Sequence, residues 1–206
     1  MLTTLKLLLI GSFFGLAAGI SPGPVLTLVI TETLKHNRSA GIKIAVSPLI
    51  TDLPIILLTL LVFSRLSDVD HVLSAISLAG GLYLLYLGYK TLKSKHFEPE
   101  MKNSSNNALR KGILVNFLNP HPYLFWITVG TPYIIKAQSI SMMALVLFLA
   151  SFYALLIGSK IVVAFLASHS KTFLNQKSYT WIMRFLGMAL LVFAVLLFHE
   201  SIKHFL

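Results

Sequence analysis

The sequence predicts an all-α integral membrane protein whose six transmembrane helices form two inverted three-helix repeats, with the first helix of each repeat broken. Three observations lead there: apolar blocks long enough to span a bilayer, a break motif at the same place in both halves, and a sided distribution of Lys and Arg. Of the 206 residues, 56% are hydrophobic and only 12% are charged. Mean hydropathy is +0.81. A soluble domain carries about 25% charged residues, and a membrane-spanning helix needs roughly 20 predominantly apolar ones.

The apolar blocks cover residues 5–34, 41–63, 72–92, 112–135, 139–167 and 181–198, and a polar stretch at 93–111 separates the third from the fourth. None shows the two-residue alternation of a barrel strand, so the blocks are expected to be helices. The chain then divides into a first three-helix repeat at residues 1–95, a cytoplasmic linker at 96–111 and a second repeat at 112–206. Lys6 and the apolar run behind it resemble the start of a secretory signal. However, no small-residue cleavage site closes that run, and apolar character resumes after Pro24, so it is expected to remain as a span.

The basic residues set the orientation. With the N-terminus outside, twelve of the 17 Lys and Arg fall in inside loops, four fall outside, and Lys160 lies within a span. Lys and Arg collect on the cytoplasmic side, so both termini are expected outside. Asp68 and Asp70 then fall in an outside loop. The net charge of +10 is explained by this sidedness and by no groove of stacking aromatics, which argues against a nucleic-acid partner. The absence of Cys excludes disulfides and thiolate metal sites, and no cofactor or metal motif is visible.

The sharpest feature is repeated. Ser21-Pro22-Gly23-Pro24 interrupts the first block, and Asn119-Pro120-His121-Pro122 interrupts the fourth, 98 residues later, with Leu26 matching Leu124. Proline has no amide hydrogen and clashes with the preceding turn, so each Pro-x-Pro breaks its helix and frees carbonyls. In hydrocarbon a freed polar group costs several kcal/mol unless protein or water satisfies it. The breaks therefore belong on a cavity, where the half-helix that follows turns unpaired amides and a positive dipole end toward an anionic group. Since three spans per half is odd, the halves must lie in opposite orientations, as in many secondary transporters.

Two further charges lie within the apolar blocks. Asp52 stands mid-way along the second and Lys160 in the fifth. Charges at that depth mark pathways or partners, and the second and fifth blocks are counterparts, so the two residues are expected to be able to meet as an ion pair. Asp52 is alternatively a proton carrier. His121 is a weaker candidate for titration or substrate contact. Glu32 is expected to cap or solvate the inside end of the first span. Gly11, Gly15, Gly19 and Gly23 recur every fourth residue, a stripe that fits close packing on a neighbouring helix.

Residues Gly19-Ile20-Ser21-Pro22-Gly23-Pro24, Gly81-Leu82-Tyr83-Leu84-Leu85-Tyr86-Leu87-Gly88, and Lys111-Gly112 through Asn119-Pro120 carry a resemblance that runs over essentially the whole chain. In order and spacing it is similar to the lysine-exporter translocator family (LysE/RhtB type), bacterial inner-membrane proteins that export amino acids. The resemblance implies efflux of amino acids or related metabolites driven by the proton gradient, with Ser21, Pro22, Gly23, Pro24, Asp52, Asn119 and Pro120 on the pathway. The sequence departs from the family pattern at Val25, where Asn is common, and at His121, where Lys is common. Both departures bear on which substrate is moved.

A secondary transporter with a small-molecule substrate, set in a bacterial inner membrane, is therefore the expected function. Its pathway would be built from Ser21, Pro22, Gly23, Pro24, Asp52, Asn119, Pro120, His121, Pro122 and Lys160. A membrane-embedded enzyme or a channel using Asp52, His121 and Lys160 is the alternative. The enzyme is disfavoured because catalytic sites of that kind need paired carboxylates, a metal cluster or a Ser–His arrangement, and no filter-like sequence supports a channel. The long apolar faces would permit a homodimer.

Overall fold

The computed structural model describes residues 2–62, 69–93, 105–171 and 176–205. Every regular element among them is helical: α1 (Leu2–Ile20), α2 (Pro24–Lys35), α3 (Arg38–Val62), α4 (Val69–Leu92), α5 (Ser105–Phe117), α6 (Pro120–Phe125), a π-helical turn (Trp126–Gly130), α7 (Thr131–Ile140), α8 (Met142–Lys171) and α9 (Gln176–Phe205). The expected linker falls largely at residues 94–104, outside the described residues, as do Arg65 and Asp68; α5 has already begun at Ser105.

Four helices are long and apolar enough to cross a membrane by themselves, over Thr3–Ile20, Arg38–Leu60, Met142–Ser170 and Gln176–His199. The chain is a multi-pass membrane protein. The expected third block forms α4, and the expected fourth is divided among α5, α6, the π turn and α7. Large apolar side chains such as Phe13 and Phe185 stand about two-thirds exposed (68% and 67%) on α1 and α9, a surface suited to lipid and poorly suited to water.

The two most extensive helix contacts are α4 with α9 and α1 with α8, followed by α3 with α5. Small residues allow it. A Cβ on Gly15 would run into the Phe152 backbone carbonyl, one on Gly11 into that of Phe148, and one on Gly19 into the Ser159 hydroxyl, so α1 lies backbone-close on α8. Gly112 plays the same part between α5 and α3, where its Cβ would meet the Ser47 hydroxyl at 2.8 Å and the Ile44 Cα at 3.0 Å. Gly23 departs from the stripe: only the Ser21 carbonyl, at 3.9 Å, comes near its Cβ position. Its reason lies in the break and not in packing.

Candidate functional site

Each proline break is repaired by a side chain. At the first break, Ser21 N still reaches Ala17 O at 3.0 Å. Pro22 has no hydrogen to return to the next carbonyl, Ala18 O. That carbonyl and Gly19 O instead accept from Lys160 Nζ, at 3.1 and 3.2 Å, with Lys160 only 4% exposed. Pro24 then opens α2 at its first position behind an extended Gly23 (φ −167, ψ 177) that supplies no side-chain cap. The first amides of α2 are thus left unpaired by any side chain at its cap.

At the second break, Pro120 likewise has no hydrogen for Asn116 O, and Asn119 N takes its place at 3.3 Å. The Asn119 side chain caps α6 by accepting from His121 N at 3.2 Å, and Tyr123 OH donates to Phe117 O at 2.9 Å. The π turn follows. The Trp126 ring covers Gly130 within it so closely that a Cβ there would collide with the ring. Such turns are frequent at functional sites.

Helix α3 passes both breaks. Pro48 within it leaves Ile44 O without its usual partner, and Ser47 Oγ supplies one at 2.8 Å. One turn on, Asp52 is 4% exposed. Its Oδ1 accepts from Asn116 Nδ2 at 3.1 Å and its Oδ2 from Tyr153 OH at 3.3 Å, with the Trp126 side chain a further hydrogen-bonding neighbour. Asn116 Nδ2 also reaches Thr51 Oγ1 at 2.5 Å. A carboxylate so deep in an apolar bundle is tolerated because several donors converge on it.

These groups surround one cavity of about 450 Å³. Ser21, Pro22, Gly23, Pro24, Asp52, Asn119, His121, Pro122 and Lys160 all line it. Pro120 does not; it is buried at the first position of α6. The opposite wall is aromatic, with Phe125 and Phe152 stacked at 5.3 Å and Trp126 edge-on to Phe152 at 5.4 Å. The cavity thus joins a positive helix end, one ammonium and one carboxylate to a firm apolar wall, a composition suited to a small amphiphilic solute.

The geometry coincides with a family. A family model described as LysE type translocator matches residues 16–201, most of the chain. The chain belongs to the LysE type translocator family. No curated protein and no solved structure matches it.

In this translocator the expected Asp52–Lys160 ion pair is not formed. The ion pairs seen between described side chains run to Glu32, and Asp52 is in neither of them. Lys160 is drawn instead to the carbonyls at the end of α1, and both Asp52 oxygens are taken by neutral donors. The expectation for Glu32 also changes. It is 3% exposed, and its Oε2 lies 2.7 Å from Lys111 Nζ and 3.5 Å from His36 Nε2, so it links α2 to α5 instead of meeting solvent. Asn116, Tyr153 and Trp126 were not singled out from the sequence. Asn116 had a signal, being a polar residue in an apolar block one turn before Asn119. Tyr153 and Trp126 had none, since aromatic residues in a span more often face lipid or core.

Proposed function

We propose that this translocator is a secondary transporter that exports amino acids or related small metabolites across a bacterial inner membrane in exchange for protons. The observation that carries this reading is the cavity in which the first helix break, Asp52 and Lys160 converge. A substrate carboxylate would sit against the N-terminal amides of α2 and the third hydrogen of the Lys160 ammonium, two of whose three donors are engaged. The substrate ammonium and a proton would compete for Asp52. Competition for one carboxylate gives obligatory exchange, because the site carries one cation or the other but not both.

The packing supports six spans in two inverted halves, with α1–α2, α3 and α4 in the first and α5–α7, α8 and α9 in the second. Helix α1 lies on α8 as α5 lies on α3, and α4 with α9 and α3 with α8 are counterpart pairs. A two-fold axis in the membrane plane would exchange those contacts. On this reading both termini lie outside, and the exposed apolar faces leave room for a second copy of the chain.

The test is counterflow in proteoliposomes loaded with a panel of amino acids under an imposed pH gradient. Exchange accelerated by the gradient, and lost in Asp52→Asn, is expected. If correctly inserted protein moves no amino acid or related metabolite, the reading fails.

A further inference from the structure

The end of α1 gathers groups that favour a positive charge. Ala18 O and Gly19 O are carbonyls released by a helix break, they lie at the negative end of the α1 dipole, and Ala18 lines the cavity. In carriers with discontinuous helices, unwound carbonyls and half-helix C-termini coordinate the coupling alkali cation, and such hard oxygen donors suit a small hard ion. Here that position is filled from within the protein. Gly19 brings α1 onto Ser159 and the Leu156 carbonyl of α8, and the next residue, Lys160, delivers its ammonium to both carbonyls.

We propose that Lys160 is a tethered cation standing where an alkali-metal ion would otherwise bind, so that the carrier needs no sodium. The neighbouring charges leave it this role. Asp52 on α3 is the acidic group that faces it across the cavity, and it is engaged by Asn116 and Tyr153. His121 is the other titratable group on the cavity wall. Lys160 then has two tasks: its charge holds the end of α1 through two of its hydrogens, and the third is left for the substrate carboxylate of the transporter reading.

A merely structural hydrogen-bond donor would fill the same carbonyls without charge, and this separates the two accounts. Purified protein is melted in detergent with sodium chloride or choline chloride as the only salt. The wild type is expected to melt at the same temperature in both. Lys160→Ala is expected to lose about 4 °C or more in choline, roughly the shift of a lost buried charge contact in a chain of this size. Sodium or methylammonium should recover part of that loss, because each can occupy the vacated carbonyls. Lys160→Gln keeps a donor and removes the charge, and it should behave as Lys160→Ala does; it also serves if the alanine variant does not accumulate. A glutamine variant as stable and as cation-insensitive as the wild type would overturn the proposal, and so would a wild type that sodium stabilises.

The second arm is counterflow in sodium and in choline media, where equal wild-type rates are expected and a sodium requirement would refute the tethered cation. A wild type that transports nothing would sink the transporter reading instead, and the melting arm would still decide the role of Lys160.

Discussion

Glu32 Oε2 and Lys111 Nζ stand 2.7 Å apart, joining the C-terminal end of α2 to the middle of α5. Helix α2 follows the first break and α5 precedes the second, so one ion pair fastens the two broken segments to each other. The Glu32 side chain is 4% exposed and that of Lys111 20%, so the pair is well shielded on the acidic side. Removing either partner should cost roughly 1.5–3 kcal/mol, the range for hydrogen bonds to charged groups, and should loosen the joint between the broken segments that line the cavity. Glu32→Gln and Lys111→Met are each expected to lower the melting temperature and to speed reaction of a thiol reagent with a cysteine placed at Ser21. The chain has no cysteine of its own. The double exchange Glu32→Lys with Lys111→Glu should restore much of both; additive damage in the double variant would show that the pair does not act as a unit.

Asp52 makes a second prediction through its donors. Asn116 Nδ2 and Tyr153 OH both point hydrogens at the carboxylate. Asp52→Asn keeps the shape but turns an amide NH2 toward one of those donors, leaving buried groups unmatched. Counterflow driven by a pH gradient should fall by on the order of tenfold or more, since 1.4 kcal/mol is a factor of ten. Asn116→Leu should act in the same direction by a smaller amount, because Tyr153 remains. Wild-type exchange in Asp52→Asn would remove this carboxylate from the pathway.

Much of this was legible in the sequence because membrane proteins obey few rules strictly. Span-length apolar blocks, Pro-x-Pro breaks and a carboxylate within a span each have a large energetic consequence, and nine of the ten candidate residues line one cavity. What could not be read was which partner each buried group chooses. Asp52 and Lys160 stand in the second and fifth apolar blocks and invite pairing, yet each finds a nearer partner set in the groups around its own helix. Those choices depend on side-chain reach across helix contacts. The close α1–α8 approach at Gly19 that delivers Lys160 to α1 cannot be deduced from glycine spacing alone. Glu32 was misjudged for the same reason: its partner Lys111 lies 79 residues away in the chain.

The glycine stripe gives a paired test. At Gly15 an added methyl meets the Phe152 backbone carbonyl, which cannot move without shifting α8, whereas at Gly23 it meets only the Ser21 carbonyl at 3.9 Å. Gly15→Ala should therefore destabilise by roughly 1–3 kcal/mol, as overpacking does. Gly23→Ala, in an extended conformation open to any residue, should stay within about 0.5 kcal/mol of the wild type. Melting temperatures in detergent decide it. Equal losses at the two positions would mean that the stripe is a packing surface along its whole length.

The last prediction concerns pH and the C-terminal end of α2. Lys35 closes that helix beyond the apolar span, and its Nζ donates to Thr91 Oγ1 at 3.2 Å. Burial pushes its ammonium down from 10.5 to about 8; Glu32 opposes this, while Lys111 and Lys90 add to it. The unfolded chain holds this proton up to pH 10.5, whereas the folded one releases it near 8. Between those values the unfolded state binds more protons, so this group makes the fold more stable as pH rises through the window; below about 8 the cost of burying the charge is present in full. That cost is of the order of 1–3 kcal/mol. Lys35→Met removes the proton altogether. It should be more stable than the wild type near neutral pH, and the gap should close as the pH approaches 10. Melting curves of the two proteins from about pH 7 to about pH 10 measure this linkage directly. Parallel curves would mean that Lys35 keeps its proton through the whole range and that its burial has no energetic consequence.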